Sequence, residues 1–260
     1  KIFFLDVGQG DGVLLEAGNY KVLIDSGPNN NMYGYLTKWQ YTYILGAKQK
    51  VHIDYLIISH FDVDHYKGVT KILNDSRFTF GTIIHPGILK MATKENPYNS
   101  GLGSTIKQDG KTYLSLVFDN LLKISQPVTF NRDITAFLKA LLKANDEGRV
   151  LKVKRYEQGS KIIQKKIEKK TFRIEVLAPF LEKVGKKKMF VYWGNESKTI
   201  NGHSLVIKVT FGNRTVLLGG DLNTEAQRYL MDKYGADHPF ESDVAKSCHH
   251  GSSDFSEAFM

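Results

Sequence analysis

His60-Phe61-Asp62-Val63-Asp64-His65 packs two imidazoles and two carboxylates into one short turn directly after the apolar run Tyr55-Leu56-Ile57-Ile58. That run has the composition of a buried strand. Ionisable groups at its mouth are costly to desolvate unless they share a partner, and a divalent cation is such a partner. Other chemistry-bearing residues also stand where an apolar run ends. Asp25 follows Val22-Leu23-Ile24, Asp221 follows Val216-Leu217-Leu218-Gly219-Gly220, and His249 and His250 follow residues 243–247. Strand ends of one packed sheet converge on a rim, so groups scattered in sequence can meet there. Taken singly, an Asp after Gly-Gly is a turn former and a His pair is a solvated surface feature. Their joint occurrence is much harder to obtain by chance and points to groups that share a metal ion.

The elements that must position these groups are legible from periodicity. Residues 2–7, 13–16 and 21–24 read as a meander of short strands, separated by Gly8-Gln9-Gly10-Asp11-Gly12 and Gly18-Asn19. A helix is expected over 33–45, a strand over 55–58, a short helix over 68–73 and a strand over 79–84 ending at His85-Pro86-Gly87. Residues 88–130 mix Gly, Ser, Asn and Lys with little period and read as an insertion or mobile loop. Apolar residues at helical spacing (Ile134, Phe137, Leu138, Leu141, Leu142) mark a helix over 134–145. Strands are expected over 171–177, 204–210 and 214–218, a helix over 224–234 and a last strand over 243–247. This order suits two β-sheets faced by helices.

Bulk properties narrow the possibilities. A hydrophobic share of 42% in 260 residues supports a sizeable core. The single cysteine, Cys248, excludes an internal disulfide and a multi-cysteine zinc site, and as a lone residue ending an apolar run it reads as a small packed hydrophobe. No apolar run approaches the length of a membrane span and no signal peptide is evident, so a soluble, cytoplasmic segment without membrane contact is expected. The chain starts directly on a strand without Met, which suggests a piece of a longer polypeptide with further domains or subunits. The net charge of +9 is concentrated: residues 151–189 hold 13 Lys and Arg against 4 Glu, and the rest is balanced. Lys165, Lys166, Lys169, Lys170, Lys186, Lys187 and Lys188 form its dense clusters. Such clusters attract phosphate backbones, although a solvated charged hairpin explains them equally well.

Six ordered segments, Asp6-Val7-Gly8-Gln9-Gly10-Asp11, Leu23-Ile24-Asp25-Ser26-Gly27, Ser59 to His65, Asn201-Gly202-His203-Ser204-Leu205-Val206, Leu218-Gly219-Gly220-Asp221 and Lys246 to Ser252, resemble successive motifs of the metallo-β-lactamase-fold hydrolases. The branch they resemble is the hydrolase domain of ComEC-type competence (DNA-uptake) proteins. The resemblance implies a single α/β domain over 1–260, a four-layer αββα sandwich that is incomplete at its C-terminus, with two divalent metal ions. It assigns His60 and Asp62 to one metal, Asp64 and His65 to the second, Asp221 as a bridge, and His249 or His250 to the second site; Asp64 and His65 would be catalytic. Asp62 stands where most of the superfamily has His, so Mn²⁺ or Mg²⁺ becomes as plausible as Zn²⁺. The third-motif ligand is open, because Asn201 and His203 both lie near its place.

Asp6, Asp11 and Asp25 suit outer partners that orient ligands or brace loops. His85 is a lesser candidate for substrate contact, while His52 and His238 read as ordinary surface residues. Tyr98, Tyr113 and Phe118 are too scattered to establish a base-stacking platform. The leading expectation is a metal-dependent phosphodiesterase, a nuclease acting on DNA. The alternatives are a small-molecule phosphoester hydrolase of the same fold, and a non-catalytic nucleic-acid-binding sensor module in a larger defence protein.

Overall fold

The computed structural model describes residues 1–46, 49–92, 100–124 and 128–259. The chain forms two compact units, Lys1–Gly101 with Phe118–Arg155, and Leu102–Val117 with Tyr156–Met260. It is mixed α/β with several sheets and, among the described residues, no closed barrel. That agrees with the expected fold class. No helix among the described residues is long and apolar enough to cross a membrane.

The first unit is built on a six-stranded sheet. Ile2–Phe4, Val13–Ala17 and Tyr20–Ile24 form the antiparallel meander. Val51–Ile57, Phe78–His85 and Val150–Arg155 then add in parallel, in register Ile24 to Ile57 to Ile84 and His85 to Arg155. Because four neighbouring strands run the same way, Asp25, the segment after Ile57, His85 and Arg155 all reach one edge. The carboxyl edge of a parallel sheet is where ligands bind in open α/β folds. Helix Arg132–Asp146, capped by the Asn131 side chain accepting from Ile134 N–H, buries Ile134, Phe137, Leu138 and Leu141. Its Phe137 meets Phe61 and Tyr66 edge-on, with both pairs of ring centroids 5.6 Å apart. The residues flanking the metal-ligand candidates are thereby anchored in the core.

The second unit holds a five-stranded sheet of Lys161–Ile167, Lys170–Ala178, Val206–Phe211, Arg214–Leu218 and Val244–Lys246. Its last two strands are parallel, with Leu218 opposite Lys246, so Asp221 and the His249-His250 pair leave from one edge. A second, four-stranded sheet joins Glu182–Val184, Lys187–Val191, Lys111–Leu114 and Thr105–Gln108.

Two expectations need correction. Residues 88–130, expected as an insertion or mobile loop, carry paired strands: Met91–Ala92 pairs with Ser100–Gly101, and Lys111–Leu114 pairs with Lys187–Val191. The paired residues of these last two strands, Leu114 with Phe190 and Tyr113 with Val191, lie 76 and 78 positions apart, which a local pattern cannot reveal. Residues 93–99, Tyr98 among them, and 125–127 lie outside the described residues. The helix expected over 33–45 is broken into Asn31–Tyr35, a π-turn over Leu36–Gln40 and Thr42–Gly46. Gln40 and Tyr41 both donate to Glu16 Oε1, at 3.0 and 2.8 Å, and these bonds hold the widened turn in place.

Candidate metal centre

In the first unit Asp25 is the organising residue. It is buried and sits at φ +54°, a left-handed conformation stabilised by its bonds. Ser59 donates to it twice, from its N–H to Oδ1 at 2.8 Å and from its hydroxyl to Oδ2 at 2.5 Å. His65 Nδ1 lies 2.9 Å from the same Oδ2 and His60 Nδ1 lies 3.0 Å from Ser59 Oγ. One proton inventory satisfies all four contacts. Ser59 has a single hydroxyl hydrogen and spends it on Asp25, so His60 Nδ1–H donates to Ser59 Oγ, and His65 Nδ1–H donates to the carboxylate. Both rings are therefore fixed in the tautomer that turns Nε2 to ligation, which is how carboxylates and hydroxyls orient metal-binding imidazoles. The ring centroids stand 4.1 Å apart.

The ligand-bearing turn is held from several sides. Ser26 N–H donates to His65 O at 2.8 Å and Gly68 N–H to Gly27 O at 2.9 Å. Gly10, at φ +122°, passes so close that a Cβ there would lie 1.9 Å from Asp64 O, which explains the glycine-rich loop before Val13. Asp62 precedes the first turn of Val63–Tyr66, with His60 Nε2 at 4.0 Å and the Lys90 ammonium ion-paired to its Oδ1. Asp11, Asp25 and His65 are buried and offer ligand atoms within 4.8 Å of one another. Imidazole nitrogen together with several carboxylates is a donor set that suits Zn²⁺ or Mn²⁺. Asp6 is instead exposed and accepts from Gly8 N–H at 3.0 Å, bracing its own turn.

In the second unit Asp221 is buried and its N–H donates to Ser204 Oγ at 3.3 Å. Ser204 is fixed in turn by donating to Asn201 O at 2.7 Å. His250 Nε2 is 3.2 Å from Asp221 Oδ2, while His249 lies 4.0 Å from it and 3.8 Å from Asp254. Both histidines have positive φ, 49° and 55°, and the sharp turn aims the two rings differently. Cys248 packs in the apolar cluster with Leu177, Leu217 and Leu222, and its Sγ would lie 2.5 Å from a Cβ at Gly219.

His203 is buried against Trp193, stacked at 4.2 Å, and its Nε2 bonds Val191 O at 2.8 Å. Burial lowers its pKa to about 4, although the bond to Val191 opposes the shift. His85 is fully buried at the sheet edge; burial, with the Arg155 charge in addition, lowers its pKa to about 3. Tyr113 and Phe118 are buried, so neither offers a base-stacking face. His52 is exposed and His238 stacks on Phe240 at 5.5 Å. Lys165, Lys166, Lys169 and Lys170 cluster at the exposed end of one hairpin, and Lys186, Lys187 and Lys188 at that of another. Lys188 is ion-paired to Glu157. Sequence reading assigned no role to Ser59, Ser204 or Lys90. The adjacency of Ser59 to His60 was the one available signal, since Ser204 and Lys90 act through contacts distant in sequence.

Residues 5–119, under half of the chain, match the family model described as Metallo-beta-lactamase superfamily. No curated protein matches the chain. Among solved structures, a metallo-beta-lactamase HARLDQ-motif mutant from Cronobacter sakazakii is similar at 15% identity, covering 94% of this chain and 75% of that one with a TM-score of 0.42. The metallo-beta-lactamase fold protein YhfI from Bacillus subtilis is similar at 15% identity, covering 82% and 55%, with a TM-score of 0.34. MEM-A1, a subclass B3 metallo-beta-lactamase from a soil metagenome library, is similar at 12% identity, covering 95% and 76%, with a TM-score of 0.41.

Proposed function

We propose that the chain, with its metallo-beta-lactamase superfamily domain matched over residues 5–119, is a metal-dependent phosphodiesterase that cleaves nucleic acid, DNA in the first instance, as a member of the ComEC-type branch. The observation that carries the metal assignment is the Asp25–Ser59 clamp, which fixes two neighbouring imidazoles in one tautomer beside Asp62 and Asp64. A clamp of this kind has no use in a solvated turn. His60, Asp62, Asp64 and His65 are the ligands we assign in the first unit, and Asp221 with His250 those in the second. Divalent cations supply Lewis acidity, lowering the pKa of a water and neutralising charge on a phosphoryl oxygen. The chain's own residues do the rest. Asp25 and Ser59 keep the rings oriented, Asp64 accepts from and aligns the attacking water, and the lysine-rich hairpins attract the polyanion.

The nuclease reading draws on the branch motifs and on the positive charge of 151–189. Hydrolysis of labelled single-stranded DNA and of bis-p-nitrophenyl phosphate, each with Zn²⁺, Mn²⁺ or Mg²⁺, tests it. Turnover of both is expected. Turnover of the small ester alone would replace the nuclease by a small-molecule phosphoesterase, and turnover of neither with retained DNA binding would leave a non-catalytic module. Asp64→Asn keeps side-chain volume and removes a ligand charge, so activity is expected to vanish while the fold survives. Wild-type turnover in that variant overturns the assigned role.

A further inference from the structure

We propose that the cleft beside Asp62 in the first unit is an anion subsite that holds a backbone phosphate of the nucleic acid next to the scissile one, through Lys90 and Arg132. The inference rests on the phosphodiesterase reading and adds a binding site to it, separate from the hairpin lysines. The cleft has a volume of about 650 Å³, ample for a phosphodiester unit, and Lys67, Lys90, Arg132 and Asp133 supply its charges. Three cations therefore face two carboxylates, Asp133 in the lining, engaged by Lys67 at 3.4 Å, and Asp62 beside it, paired with Lys90, which leaves the cleft one positive charge in excess. Lys90 is not on a loose tether: Asn131 N–H donates to Lys90 O at 3.4 Å and Ala92 N–H to Thr129 O at 2.8 Å, tying its segment to the start of helix Arg132–Asp146.

The ion pair of Lys90 with Asp62 links the cleft to the candidate ligands. A divalent cation held by Asp62 would take up that carboxylate's charge, and the Lys90 ammonium would then need a new anion. A phosphate oxygen in the cleft provides it and meets the Arg132 guanidinium from the other side, a fork suited to phosphate oxygens. The excess of positive charge in the cleft then falls on a ligand group that carries one negative charge per nucleotide.

The test is fluorescence anisotropy of a labelled phosphorothioate oligothymidylate on the full chain with Mn²⁺, over a salt series between about 50 and 200 mM. Arg132→Gln and Lys90→Gln are each expected to weaken binding about 3- to 10-fold and to reduce the slope of log Kd against log salt by about 0.7, one single-strand phosphate contact. Arg132 is exposed, so its variant tests the subsite even if Lys90→Gln fails to fold. Wild-type affinity and slope in Arg132→Gln overturn the proposal. Hydrolysis of bis-p-nitrophenyl phosphate by the unaltered chain is measured in parallel. Loss of affinity in Arg132→Gln with no hydrolysis in the unaltered chain would support the cleft and sink the enzymatic reading, and intact hydrolysis with unchanged binding would do the opposite.

Discussion

Ser59 does more for the candidate centre than its single hydroxyl suggests. It sits between two imidazoles and one carboxylate: its one proton goes to Asp25, so its oxygen is left to accept from His60, while the carboxylate accepts from His65. Ser59→Ala should leave the backbone bond to Asp25 in place and release the tautomer of His60. Outer partners of this kind are worth roughly 10- to 100-fold in metal affinity, so a loss of that order is expected in a competition titration against a chelator. Affinity equal to the unaltered chain would show that the hydroxyl is a packing group. Asp25→Asn replaces one of the two oxygens that accept from Ser59 and His65 by a donor and removes the charge, and should cost at least as much.

At the scale of elements, the loop ahead of Val13–Ala17 and the turn after Val51–Ile57 fit only because Gly10 has no side chain. A Cβ at its φ of +122° would enter the Asp64 carbonyl. Gly10→Ala should therefore displace the ligand-bearing turn and cost about 1–3 kcal/mol by chemical denaturation, with a matching fall in bound metal; an unshifted denaturation midpoint would refute the contact. The hairpin of Lys161–Ile167 and Lys170–Ala178 bears its lysines on exposed positions. Replacing Lys165, Lys166, Lys169 and Lys170 by Gln should weaken DNA binding and flatten its salt dependence. Unchanged affinity and slope in that variant would make the hairpin a solvated face.

For the whole molecule, acid removes stability that buried titratable groups supply. His203 and His85 have pKa values lowered by burial from 6.5 to about 4 and about 3. The unfolded chain takes up protons below about pH 6.5 that the folded chain refuses. Their contribution is thus complete above pH 6.5 and is lost as pH falls toward 4 and 3. Glu182 adds a lower window: burial raises its pKa, but bonds from Lys111, Tyr113, Tyr229 and Lys233 outweigh this and bring it from 4.5 to about 2. Urea midpoints should decline steadily between pH 6.5 and 4, with a shallower decline in His203→Phe. Identical slopes in the two proteins would mean that His203 is protonated in the native state. Divalent cations bound by the native chain alone should raise Tm in proportion to the logarithm of their concentration above Kd, and a chelator should reverse the rise.

The strands that end at Asp25, His60, Asp221 and His249 were legible because apolar runs broken by polar residues and glycines carry a local signal, as were helices 134–145 and 224–234. The identity of the candidate ligands followed from the same pattern, since the desolvation cost of clustered His and Asp at a strand end is a property of the residues themselves. Tertiary structure alone decided what surrounds them. The Asp25–Ser59 clamp that fixes both rings, the Lys90 pairing with Asp62, the Ser204 support of Asp221 and the nearer approach of His250 all depend on atoms brought together from distant positions. The pairing of Lys111–Leu114 with Lys187–Val191 was hidden for the same reason. Hydrophobic periodicity reports which face of a segment is buried, whereas a hydrogen bond or an ion pair requires the position of a partner, and one segment's own pattern does not contain it.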